Sequence, residues 1–177
     1  MVGPGLHGTA AEVMRIARTY ADSVVLTGDA AMADQALAAI DGAWTAHVAA
    51  HGFFRSDSPL FSSLMLADGP LTLYDLGRLQ RAPRRLVLSS CESAVSAQVG
   101  GDELLGMMNA LVPLGTASLL ASIVPVNDAA TVGVMVAFHE HLHLGWAFAD
   151  ALVAAQEAAA GDPVAFGTAV SFVALGR

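Results

Sequence analysis

The chain has 177 residues, of which 55% are apolar and 14% charged, and a formal net charge of −8. That length supports one domain with a sizeable core. The acidic balance and the eight scattered arginines exclude a nucleic-acid footprint, which needs clustered cations, and the lone cysteine, Cys91, excludes an internal disulfide and a disulfide-stapled secreted scaffold.

Met1 to Gly5 has neither the basic nor the apolar part of a signal peptide, so a cytoplasmic location is expected. Thr9 to Tyr20 reads as a helix, with Thr9 as N-cap and Glu12 at capping-box spacing. Ser23 to Leu26 is a short β-branched run, and Gly28-Asp29 turns the chain into an Ala-rich helix over Ala30–Ile40. Trp44 to Ala50 reads as a strand buried on both faces and is followed by His51 and Gly52. Ser62–Leu66 predicts another strand, stopped by Asp68-Gly69-Pro70, and Thr72 caps a helix to about Gln80. The basic group Arg78, Arg81, Arg84 and Arg85 reads as a solvated helix end before the next strand.

Leu86–Ser90 is an apolar strand ending at Cys91. A helix is expected over Asp102–Leu111, with Asp102 and Glu103 capping its first turn. Thr116–Val124 follows as a third buried strand. Leu104 to Asn127 carries no charge, but Pro113 and Gly115 interrupt it, which predicts two buried elements joined by a turn and no membrane span. Helices over Asp128–Leu144 and Ala147–Ala160 come next, and Phe166–Leu175 closes the domain. Alternating strands and helices predict a mostly parallel sheet with helices on both faces.

In such sheets ligands bind beyond the carboxyl ends of the strands. His51 and Cys91 each follow a buried strand, so neighbouring parallel strands would bring them to one edge. An imidazole can take the thiol proton and leave a thiolate nucleophile. The backbone N–H groups of Gly52 and Cys91 could then hold an oxyanion. Taken singly, a cysteine at a strand end is more often a small buried hydrophobe, and a histidine there a satisfied core residue. His47 lies four residues before His51 and reads as a buried, hydrogen-bonded support. His139-Glu140-His141-Leu142-His143 matches H-E-x-x-H, whose two histidines and glutamate would serve a zinc hydrolase, although no clear third ligand follows.

Several blocks together resemble the CHAT family of caspase-like peptidase domains. His47-Val48-Ala49-Ala50-His51-Gly52 with Pro59 to Gly69 is similar to its histidine region, and Leu86-Val87-Leu88-Ser89-Ser90-Cys91-Glu92-Ser93 to its cysteine strand. Leu6 to Glu12, Gly101-Asp102-Glu103-Leu104, Gly115-Thr116-Ala117, Ser122 to Asp128 and Ala151 to Gln156 match further blocks in order. The chain departs from the pattern at Val124, where the family usually has Trp, and at His7, where it has Pro.

The resemblance implies a caspase–hemoglobinase-like α/β fold and endopeptidase activity on protein substrates, with Cys91 as nucleophile and His51 as base. It implies no cofactor or metal. It further implies a partner or an attached sensor domain, often of tetratricopeptide repeats, that activates the peptidase. Asp128 falls on a loop that lines the pocket for the residue before the cut, where a carboxylate would receive a basic side chain; it reads equally well as a helix N-cap. In the family the helix carrying His139 is an amphipathic cover with its polar residues in solvent. Residues 1–177 are expected to be one domain, the C-terminal part of a longer protein, without the family's upstream strands and with an exposed sheet edge. The truncated start and the missing Trp also raise a second expectation, a catalytically inactive binding or scaffold module.

Overall fold

The computed structural model describes residues 1–5, 9–53, 55, 57–89 and 107–176. Its centre is a four-stranded sheet in the order β1-β5-β6-β7, formed by β1 (Thr45–Val48), β5 (Arg85–Leu88), β6 (Ser118–Ser122) and β7 (Phe172–Gly176). β1, β5 and β6 are parallel and β7 returns antiparallel. A second, antiparallel sheet is built from β2 (Gly52–Phe53), β3 (Ser63–Leu66) and β4 (Gly69–Thr72). The expected mostly parallel sheet with helices on both faces is present.

The two-residue period of the strands sorts the core into two layers. Ala46, Val48, Leu86, Leu88, Leu119 and Ala121 face α2 (Ala33–Ile40), α3 (Leu73–Leu76) and the helical backbone at 107–111 (α4). Val87 and Leu120, on the opposite face, pack with α5 (Asp128–His143), α6 (Phe148–Ala159), α7 (Pro163–Val170) and Ile16 of α1 (Thr9–Ala17). All five residues of β6 are buried, as its unbroken apolar run requires of a strand covered on both sides.

Several elements differ from the reading of the sequence. The regular strand before His51 is shorter, Thr45–Val48, and its burial alternates. Ser23–Leu26, the β-branched run, forms no strand. β3 ends at Leu66 as expected, but Gly69-Pro70 is more than a stop: the chain turns at Ala67-Asp68 and runs back as β4. Pro70 is tolerated because β4 is an edge strand. Asp68 has a further task, accepting the Ala33 N–H at 2.9 Å at the start of α2. Thr72 is the N-cap expected, in a reciprocal capping box with Asp75, but its helix ends at Leu76. The closing segment divides into α7, capped by Asp162, and β7.

The uncharged stretch resolves into α4, a 3₁₀ turn over Val112–Leu114 and β6, with Gly115 at φ 110° supplying the left-handed cap between them. Among the described residues no helix is long and apolar enough to cross a membrane. Arg84 and Arg85 stand over the Trp44 ring at 5.3 and 5.8 Å, so part of the basic group has a partner beyond solvent.

Leu119 is fully buried in β6 and Leu144 is 73% exposed. Leu119→Ala should cost about 2–5 kcal/mol in denaturant unfolding, whereas Leu144→Ala should stay within about 0.5 kcal/mol.

Candidate active site

The parallel β1–β5 register sets Val48 against Leu88, and the Ser89 N–H donates to the Val48 carbonyl at 3.0 Å. Both chains therefore leave the sheet at the same edge. Beyond β1, Ala49 and Ala50 are fully buried, and Ala49 bridges Val2 of a parallel N-terminal segment. The Gly3 N–H donates to the Ala49 carbonyl at 2.8 Å. A Cβ on Gly3 would come within 2.8 Å of the Ala50 Cβ, so only glycine lets these backbones approach so closely.

His51 follows, half-buried. Its carbonyl accepts the Met65 N–H at 2.8 Å, which joins it to β3. Its backbone is thus held between the N-terminal segment and the second sheet. Gly5, at φ 81°, passes beside the ring; a Cβ there would lie 3.5 Å from the His51 Nε2. Gly52 is buried and stands opposite Leu64. Because the bond to β3 comes from His51, Gly52 is the non-hydrogen-bonded member of the ladder, and its N–H points away from β3.

Cys91, Asp102 and Glu103 lie outside the described residues, as does His7. The chain before Cys91 is described to Ser89, which is buried; its Oγ has no hydrogen-bond partner among the described residues. Asp128 is the first residue of α5, and the N-cap is Asn127, whose side chain accepts the Ala130 N–H at 3.0 Å. The capping role considered for Asp128 therefore belongs to its neighbour.

Behind the edge runs a buried chain of polar side chains that the sequence showed only in part. Glu12 Oε1 meets His47 Nε2 at 2.8 Å, His47 Nδ1 meets His139 Nε2 at 3.0 Å, and His139 Nδ1 meets the Tyr20 hydroxyl at 2.8 Å. These residues come from α1, β1, α5 and the loop after α1. His47 is the buried, hydrogen-bonded support expected. Glu12 is not a capping residue: it is fully buried and its carboxylate faces His47. Burial lowers the pKa of His47 in spite of the Glu12 carboxylate beside it. Burial, then the neighbouring His47, holds His139 well below the usual imidazole value. Burial also raises the Tyr20 hydroxyl to about 12.

The same geometry revises the reading of H-E-x-x-H. His139 is buried, not solvent-facing, and both its ring nitrogens meet protein groups. His143 and Glu140 are exposed, and His143 stacks edge-on to Tyr20. Among the described residues no group of three His, Cys, Asp or Glu side chains is placed to hold a metal ion. Of the two histidines only His139 joins the core hydrogen-bond chain.

A mostly parallel sheet flanked by helices on both faces is consistent with a caspase-like α/β fold. Residues 1–165 match the family model of the CHAT domain, and the chain belongs to that family. No curated protein matches the chain. The CHAT domain relates it to caspase-like peptidases.

The buried histidines have a consequence for stability. Folding disfavours the protonated form of both, so below their ordinary pKa of 6.5 the unfolded chain takes up protons more readily. The unfolded state then binds more protons, so stability is full above that pH and falls as pH drops through it. The slope should reach at most about 1.4 kcal/mol per pH unit for each histidine. Urea unfolding between pH 8 and 5 measures this, and His139→Leu should flatten the slope while lowering stability at pH 8.

Proposed function

We propose that the protein is a cysteine endopeptidase with Cys91 as nucleophile and His51 as general base. The observation that carries this reading is the parallel β1–β5 register, which starts the His51 and Cys91 segments from neighbouring positions at one sheet edge. Cys91 follows Ser89 by two residues in the chain. The family supports the same chemistry.

His51 takes the thiol proton, and the Cys91 thiolate attacks the carbonyl carbon of the scissile bond. The Gly52 N–H, which β3 does not use, and the Cys91 N–H stabilise the oxyanion. As the C–N bond breaks, His51 gives its proton to the leaving amine and a thioester remains. His51 then takes a proton from water, the hydroxide attacks the thioester, and the peptide acid leaves as the thiol re-forms. No cofactor enters these steps.

Asp128 contributes substrate choice. It opens the helix after β6, whose carboxyl end lies at the same edge because β6 is parallel to β5. A carboxylate there favours Lys or Arg before the cut. The substrates are intracellular proteins, and an attached or separate sensor domain, such as tetratricopeptide repeats, switches the peptidase on.

A mixed synthetic peptide library, read by mass spectrometry, tests the reading. Wild type should cleave it, and Cys91→Ala and His51→Ala should each lower cleavage at least about a thousandfold. Asp128→Asn should lower cleavage after Lys and Arg about tenfold and leave other sites unchanged. Cleavage that survives Cys91→Ala would overturn the assignment.

A further inference from the structure

The loop after Gly52 carries a guanidinium that the proposed peptidase steps do not use. Arg55 is the only Arg or Lys between Arg18 and Arg78. It grips the Asp57 carboxylate in a fork, with Nε 3.1 Å from Oδ1 and Nη2 2.8 Å from Oδ2. Both side chains stand in solvent, 54% and 68% exposed. The hydrogen bonds from Arg55 hold the Asp57 carboxyl below its ordinary pKa, so the pair is fully charged near neutral pH.

Arg55 and His51 are fastened to the same stretch of chain, which fixes the distance between them. The His51 carbonyl accepts the Met65 N–H at 2.8 Å, and the Arg55 N–H donates to the Ser62 Oγ at 3.0 Å. Ser62 is buried, and its carbonyl accepts the Leu73 N–H at 2.9 Å, so this anchor belongs to the second sheet and not to the loop alone. Ser62 and Met65 are three strand steps apart, roughly 10 Å. Between the two anchors β2 runs antiparallel to β3, as the outer strand of its sheet. The Gly52 N–H that faces away from β3 is the one assigned to the oxyanion. A substrate held there by its scissile carbonyl, and extended beside the loop, comes level with Arg55 about three residues from the cut.

As a structural tie the ion pair is weak, because exposed partners two residues apart contribute little to stability. As a recognition group the guanidinium is well suited. Its planar fork matches a carboxylate through two parallel bonds, and its present occupant stands in solvent and can turn away.

We propose that Arg55 selects substrates with an Asp or Glu about three residues from the cut, and that Asp57 fills the guanidinium fork until the substrate carboxylate replaces it. This rests on the peptidase reading and sets a second charge filter beside that of Asp128. Asp128 favours a cation at the cut, and Arg55 favours an anion a short distance away. A uniformly basic segment meets Arg55 as a like charge and is disfavoured.

The test uses the whole chain and peptides with one central lysine. A single glutamate, or its isostere glutamine, stands in turn at each position within about four residues of that lysine on either side. Mass spectrometry locates the cut, and kcat/KM is compared within each pair of peptides. Wild type should favour glutamate at least about threefold at one position, through KM. Asp57→Asn should widen the ratio to at least about tenfold, because the fork no longer holds an internal anion. Arg55→Gln should bring the ratio to about one, and high salt should shrink it in wild type. Fluorescence anisotropy of the labelled peptides on Cys91→Ala reads the same preference without turnover. Equal use of glutamate and glutamine at every position, by cleavage and by binding, would overturn the proposal and leave the Cys91 assignment standing. So would a glutamate preference that survives Arg55→Gln or that Asp57→Asn lowers. Cleavage that survives Cys91→Ala would overturn both.

Discussion

The parallel pairing of β1 with β5 is the constraint on which the rest depends. It aligns Val48 with Leu88 and so decides that whatever follows each strand emerges at one edge. A slip of β1 by one residue would turn Ala46 and Val48 out of the layer under α2 and into the layer under α5, while Leu86 and Leu88 stayed behind. The two packed layers therefore fix the register, and the register fixes where His51 starts. Local contacts add the final placement. Gly3 and Met65 hold the backbone on either side of His51, and Gly5 leaves space for the ring.

The second organising feature is the buried chain from Glu12 through His47 and His139 to Tyr20. Burying a carboxylate and two imidazoles is unfavourable unless they satisfy one another. Here each histidine uses both ring nitrogens, so α1, β1 and α5 meet in one arrangement. Deleting any member leaves a polar group stranded in the core, at about 1–3 kcal/mol. The chain thus ties the helical layer to the strand that leads to His51, without itself reaching the sheet edge where peptide chemistry is proposed.

Much of the fold was legible because buried parallel strands need uninterrupted apolar runs. Leu86–Ser90 and Thr116–Val124 stand out for that reason; the second contains β6, and the first overlaps β5, which begins one residue earlier at Arg85. The hairpin of β3 and β4 was hidden because Gly69-Pro70 has the composition of a breaker, and only an edge position makes the proline acceptable. Phe166–Leu175 concealed a helix end and a strand because an apolar run alone does not distinguish them. At the site, His51 and Gly52 could be placed from strand endings. The partnership of Glu12 with His47 and His139 could not, since it joins residues 35 and 92 positions apart. The one available signal was that α5 is apolar around most of its circumference, with Val134, Met135, Val136 and Phe138 all buried beside His139. A histidine in such a helix faces the core more readily than a metal in solvent.

The central claim, that one sheet edge joins Cys91 to His51, is tested most directly by the pH dependence of Cys91 alkylation with iodoacetamide. Cys91 is the chain's only thiol, so the signal is unambiguous. In wild type the rate should persist well below pH 8.5, where a free thiol loses its thiolate, and His51→Ala should shift the profile upward by at least about one pH unit. Superimposable profiles for the two proteins, both centred near the free-thiol value, would contradict the account.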